Sequence, residues 1–154
     1  MSTDSEAIVR LAYARAEGPT LDPEGFVELF TDDGVFRNVV GQETYQGKDV
    51  AIPVVWMANL FSDLHRELHK VTVLGDVVAV ELSIQGTLSA PFPTPAGEIL
   101  PVGQKVDFPT GDFWYLKDGK ITDFNCYVGM SIWFAQMGAL PDFAAAVEAS
   151  QAAA

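Results

Sequence analysis

Asp112 stands in Thr110-Gly-Asp-Phe-Trp-Tyr-Leu-Lys117, a run otherwise built from aromatic and aliphatic residues. On a strand its two-residue period groups it with Thr110, Trp114 and Leu116. Trp114 and Leu116 favour the interior, so the carboxyl is expected to face inward with them. Burial disfavours the ionised form and can raise a carboxyl pKa by as much as ~3–5, each unit being worth ~1.36 kcal/mol. A carboxyl held this way can donate a hydrogen bond to a substrate oxygen or exchange a proton with it. The plainer alternative is a carboxylate at a strand edge or subunit interface, bonded to backbone.

Three further positions carry chemistry. Asp63-Leu-His-Arg-Glu-Leu-His69 sets two histidines around Glu67. On a helix, His65 and His69 could share a metal ion. On a strand they lie roughly 13 Å apart, too far to chelate one ion. A strand is expected here, so no metal site is assigned. His69 is then a candidate general base facing the interior, oriented by Glu67 or Asp112; an outward, solvated row of histidine and carboxylate is the competing reading, above all for His65. Asn38 shares a face with Phe36 and Val40 and could hold a substrate carbonyl, or simply satisfy a bulge. Cys126 alternates with Phe124 and Thr122, which points it inward; a buried cysteine most often serves as a small hydrophobe.

Periodicity says which elements must position these groups. Thr3-Asp-Ser-Glu6 matches a capping box. Val9, Ala12, Tyr13 and Ala16 follow at helical spacing up to Gly18-Pro19, giving a helix over 1–18. Asp22-Pro23 opens a second helix over 22–31 with Phe26, Leu29 and Phe30 buried, stopped by Asp32-Asp33-Gly34. Val35 to Val40 alternates as a short strand. A third helix over 48–62 places Ile52, Trp56 and Leu60 on one face, with Pro53 near its first turn. From about Leu64 the period becomes two. Val71–Leu74 and Val77–Leu88 flank Gly75-Asp76, and Val106–Lys117 and Lys120–Tyr127 flank Asp118-Gly119, two hairpin signals. Ser89 to Gln104, with Pro91, Pro93, Pro95 and Pro101, reads as a long loop able to cap a pocket. Residues 129–152 read as a helical tail. The order of helices, then a mostly antiparallel sheet over 64–128, then helices implies one α+β domain over 1–154. Its curved sheet is covered on the concave side by helices.

Bulk composition narrows the partners. The chain has 154 residues, 49% hydrophobic and 19% charged, which suits a globular domain. A net charge of −12 opposes nucleic acid and anionic membrane surfaces. The polar N-terminus carries no signal-peptide pattern, and the apolar stretch Val50–Phe61 is too short to span a bilayer. With Cys126 as the one cysteine, no internal disulfide forms, and a cytoplasmic location is expected. There is no glycine-rich phosphate loop and no nucleophile elbow, so no cofactor is assigned.

Three segments carry a family likeness: Gly25-Phe-Val-Glu-Leu-Phe-Thr-Asp-Asp-Gly-Val-Phe-Arg-Asn-Val-Val-Gly41, Gly47-Lys-Asp-Val-Ala51 and Gly111-Asp-Phe-Trp-Tyr-Leu-Lys-Asp-Gly-Lys-Ile121. They resemble the nuclear transport factor 2-like superfamily, in its SnoaL-like polyketide cyclase and ketosteroid isomerase-like branch. The resemblance implies a cone-shaped sheet with a hydrophobic pocket and a homodimer formed through the sheet. It lines Asp112 up with the isomerases' protonated oxyanion-hole aspartic acid. Their general-base aspartate falls on Asn38, an amide that takes no proton at neutral pH. The cyclases' acid/base aspartate falls on or beside Cys126, and the isomerases' oxyanion-hole tyrosine within about one residue of Tyr13. The expected function is cofactor-independent proton transfer on a small hydrophobic carbonyl compound, as in isomerisation, aldol-type cyclisation or dehydration. Asp112, His69, Asn38 and Cys126 are the candidate catalytic groups. Tyr13, Phe30, Trp56, Leu60, Phe92, Trp114 and Phe124 are the candidate ligand contacts. A non-catalytic module binding a hydrophobic ligand in the same cavity is the alternative.

Overall fold

The computed structural model describes residues 2–154. Helix α1 (Ser2–Ala16) buries Val9, Ala12, Tyr13 and Ala16, the stripe that helical spacing predicts. It begins ahead of the expected cap, and the side chain of Thr3 lies outside the described residues. Just past its end, the Gly18 N–H donates to the Leu64 carbonyl at 2.9 Å. A Cβ on Gly18 would sit 2.3 Å from the Ser62 carbonyl oxygen. Glycine therefore lets α1 close down on the chain entering the third strand.

Helix α2 (Pro23–Glu28) starts as expected: the Asp22 carboxylate accepts from the Gly25 N–H at 3.0 Å, and Pro23 fills the first turn. It ends earlier than expected, because strand β1 (Phe30–Asn38) takes over at Phe30. The cause is tertiary. Phe30 pairs with Ile121, whose N–H donates to the Leu29 carbonyl at 2.9 Å. An irregularity between Phe30 and Val35 absorbs the Asp32-Asp33-Gly34 segment, its two aspartates exposed, that reads locally as a stop signal.

Strand β2 (Glu43–Gln46) pairs with β1, and a 3-10 turn (Gly47–Ala51) leads into α3 (Ile52–Leu60). Then come β3 (His65–Leu74), β4 (Val77–Thr87), β5 (Phe92–Thr94), β6 (Gly97–Ile99), β7 (Lys105–Lys117) and β8 (Lys120–Val128), followed by α4 (Met130–Gln136) and α5 (Phe143–Ala153). The main sheet runs β2-β1-β8-β7-β4-β3, antiparallel throughout except for the parallel β1–β8 pair. This is the expected α+β architecture, with a mostly antiparallel sheet and a C-terminal helix. The tip between β7 and β8 has Asp118 at φ 50° and Gly119 at φ 77°, the two positive values of a tight hairpin turn. The segment 89–104 is not all loop: β5 and β6 form a small hairpin. It buries Phe92 against Trp133 and Phe134, with ring centroids 5.6 and 5.8 Å apart.

The core lies on one sheet face. Val78, Val80, Leu82 and Ile84 of β4 and Val106, Phe108, Trp114 and Leu116 of β7 all point there. Helix α4 docks on it by stacking Trp133 on Phe108, centroids 5.1 Å apart and 11° from parallel. Among the described residues no helix is long and apolar enough to cross a membrane.

Gly18→Ala must push α1 away from Ser62, and is expected to cost about 1–3 kcal/mol in urea unfolding, as overpacking does. An unchanged midpoint would show that the close approach is dispensable.

Candidate active site

A cavity of about 360 Å³ opens between the helices and the inner sheet face. All six main-sheet strands reach its wall: Glu43 and Tyr45 from β2, Asn38 from β1, Cys126 from β8, Asp112 and Trp114 from β7, Ile84 from β4 and Arg66 from β3. Tyr13, Trp56, Met57 and Trp133 close it from the helices. An apolar lining with few polar groups is the usual build of a small-molecule site.

Asp112 is 3% exposed. The Tyr13 hydroxyl donates to its Oδ2 at 2.6 Å, and the Trp114 Nε1–H donates to the Tyr13 oxygen at 3.0 Å. Oδ1 has no hydrogen-bond partner among the described residues. One carboxyl oxygen is therefore tethered through α1, while the other is buried without a partner, in a residue that lines the cavity. Packing locks this chain. Tyr13 meets Trp114 edge-on at 5.3 Å, and Trp114 stacks on Phe124 at 3.6 Å. The sheet register adds a row: Asp112 lies opposite Cys126, and Cys126 opposite Asn38, on three neighbouring strands.

Electrostatics follow from this placement. Burial pushes the Asp112 carboxyl up to about 6 from its usual 3.8, against smaller downward pulls from the Tyr13 hydroxyl, the Cys126 thiol and Arg66. The Cys126 thiol biases the carboxyl without making a hydrogen bond of normal geometry to Oδ1. Burial, then the neighbouring Asp112, holds both the Tyr13 phenol and the Cys126 thiol well above their ordinary values. Both keep their protons at neutral pH. Cys126 is thus no thiolate nucleophile. The Asn38 side-chain carbonyl accepts from the Gly41 N–H at 3.2 Å, and its amide is 3.4 Å from Glu43. That leaves amide donor capacity for a ligand.

Of the residues expected at the site, Asp112, Asn38, Cys126, Tyr13, Trp56, Trp114 and Phe124 line one cavity. His69 does not join them. It is exposed, its Nε2 is 2.7 Å from Ser83 Oγ, and it borders a shallow groove with Glu81 and Tyr127. The reason is strand parity. Arg66 and Leu68 turn inward on β3, so His65, Glu67 and His69 turn outward as a row, in which His65 Nε2 meets Glu67 at 2.8 Å. Phe30, Leu60 and Phe92 also fall away from the cavity: each is buried against other side chains. On α3, Ile52 and Trp56 are partly exposed and line the cavity, whereas Leu60 is buried, so the three do not share one buried face. Arg66, Glu43, Tyr45, Met57 and Ile84 are lining residues that sequence reasoning missed. For Arg66 the signal was available, since it alternates with the two histidines.

Two outcomes follow. Tyr13→Phe removes a hydrogen bond to the ionised carboxyl, so the Asp112 midpoint, read by carboxyl-carbon NMR, rises above about 6. The same change strands the Trp114 N–H and costs about 1–3 kcal/mol of stability. Because burial raises Asp112 from 3.8 to about 6 in the folded state, its stabilising contribution is complete below pH 3.8 and is lost as pH rises through 6. Asp112→Asn should remove that component. The difference in unfolding free energy between wild type and variant should then change by on the order of 3 kcal/mol between pH 3.5 and pH 7.5. A constant difference would contradict the assignment.

A SnoaL-like domain model matches residues 9–124, and comparison with curated proteins finds no match. The fold is shared with solved structures. AclR from Streptomyces galilaeus, named as a hydroxylase, superposes with a TM-score of 0.78 at 20% identity, covering 92% of this chain and 89% of its own. A Jannaschia protein named as a SnoaL-like polyketide cyclase gives 0.74 at 23% identity, covering 91% and 95%. An M. tuberculosis LEH-like epoxide hydrolase gives 0.65 at 19% identity, covering 88% and 90%. At these identities the likeness speaks for the fold. The family match across residues 9–124 places the chain in the SnoaL-like domain family.

Proposed function

We propose that the protein is a cofactor-independent acid/base enzyme acting on a small hydrophobic carbonyl compound. The observation that carries this reading is Asp112 on the cavity lining: buried, with one oxygen fixed by Tyr13 and the other without a partner among the described residues. A carboxyl near 6 is poised to work in both directions at neutral pH. As carboxylate it takes a proton from the carbon beside the substrate carbonyl, and the C–H electron pair moves into the enolate. The enolate oxygen can accept from the Asn38 amide. The new carboxylic acid then returns its proton to another carbon, or to an oxygen after ring closure or on departure of water, for isomerisation, aldol-type cyclisation or dehydration. No second base is required, which suits a cavity that His69 does not reach. The apolar surroundings of Asp112 strengthen each of these interactions relative to water. The outer sheet face, with Phe113, Tyr115 and Tyr127 exposed, supports a homodimer as part of this reading.

Proton abstraction can be read without knowing the product. Cyclic ketones and polyketide mimics in deuterated water should exchange their α-protons in the presence of the protein, with a rate that climbs as pH passes through about 6. Asp112→Asn should lower that rate by ~10²–10⁴. The second reading, a non-catalytic binder, draws support from Asn38 and Cys126, which stand where the resemblance expects carboxylates. Its signature is tight binding of the same compounds, with exchange no faster than in buffer for both proteins.

A further inference from the structure

Of the nine lysines and arginines in the chain, Arg66 is the one that lines the cavity. Arg10, Arg15 and Arg37 each sit within 4 Å of a carboxylate, on Glu6, Asp22 and Asp123. Among the described residues Arg66 has no such partner. Its guanidinium donates to the Ala16 carbonyl at 2.7 Å, at the last turn of α1. The nearby Glu17 carboxylate accepts from the Arg66 backbone N–H, with both oxygens at 3.0 Å, lies 3.2 Å from His65, and feels the Arg66 charge without coming within ion-pair distance of its guanidinium. One main-chain bond leaves most of the five guanidinium donors unused. A half-buried cation on an apolar wall is costly without a paired anion, and the negative end of α1 and the nearby charge of Glu17 offset only part of that cost.

We propose that Arg66 is an anion subsite, so that the ligand is a hydrophobic carbonyl compound carrying a carboxylate or equivalent acid. This deepens the acid/base reading and rests on it for the identity of the reacting carbonyl. Position supports the division of labour. Arg66 pairs with Ile84 and Asp112 with Val80, so they flank β4 on opposite sides, four residues apart along it. Two strand spacings and that offset put the two backbones roughly 16 Å apart, a gap their side chains narrow from both ends. The acid is thereby held at the β3 edge of the cavity, away from the reacting carbonyl at Asp112. Charge then couples the sites. An anion on Arg66 cancels the cation that favours ionised Asp112, so binding shifts Asp112 towards its protonated, donating form.

The test uses 2-naphthoate and its neutral isostere 2-naphthamide as probes, with calorimetric Kd at pH 7. Wild type should bind naphthoate at least tenfold more tightly than the amide. Arg66→Gln should bring the ratio to near one while leaving the amide Kd within twofold, which also shows that the variant is folded. Arg66→Lys should retain part of the preference. Asp112→Asn should keep the preference even where it abolishes α-proton exchange, so failure of the acid/base reading and failure of the anion subsite are separately visible. A ratio at or below one in wild type, a preference that survives Arg66→Gln, or no binding of either probe to wild type would each overturn the proposal.

Discussion

A single hydrogen-bonded chain, Trp114 to Tyr13 to Asp112, ties the helices to the sheet and sets the chemistry of the interior. Its members are 99 and 101 positions apart, so it forms only when α1 has docked on β7. In water such bonds are worth ~0.5–1.5 kcal/mol net, but leaving a buried member unpaired costs ~1–3 kcal/mol. The chain therefore acts as a check on register: α1 has one position in which Tyr13 meets both neighbours. Gly18 makes that position reachable, because any side chain there would strike Ser62 before Tyr13 arrived.

The same chain leaves Asp112 incompletely satisfied. A fully paired carboxylate, with both oxygens accepting, would be held low and inert. Here burial dominates and one oxygen stays free, so the proton sits close to the point of transfer at neutral pH. Stability is given up to keep it there, as expected where a fold retains local strain or frustration for use. Around the carboxyl the six strands act as a ruler. Register alone brings Asn38, Cys126 and Asp112 into one row, while Arg66 is set apart at the far edge.

Much of this was legible in residue order. The inward direction of Asp112 followed from β7, where alternation runs unbroken from Val106 to Leu116 and every second residue is buried. The α1 stripe and the Asp118-Gly119 turn followed from equally local rules. His69 shows where such rules stop. Its strand has charged or polar residues on both faces, so hydrophobicity could not decide which parity faced the core. Contact with α1 and β4 decided it, turning Arg66 and Leu68 inward. Phe30 failed differently. Its helical spacing after Phe26 was sound, but pairing with Ile121 outweighed a marginal short helix.

The sequence by itself determined most of the element types, the family, and one carboxyl placed to be buried, because period and turn chemistry act over a few residues. Only the tertiary structure decided which apolar side chains face a void rather than each other, and which polar groups share it. Phe92 and Trp56 are equally apolar, yet one is packed into the core and the other lines the cavity. The physical reason is that a cavity is bounded by distant segments at once. Its outline depends on how α1, α3 and α4 settle on a curved sheet, and no local pattern in the chain encodes that.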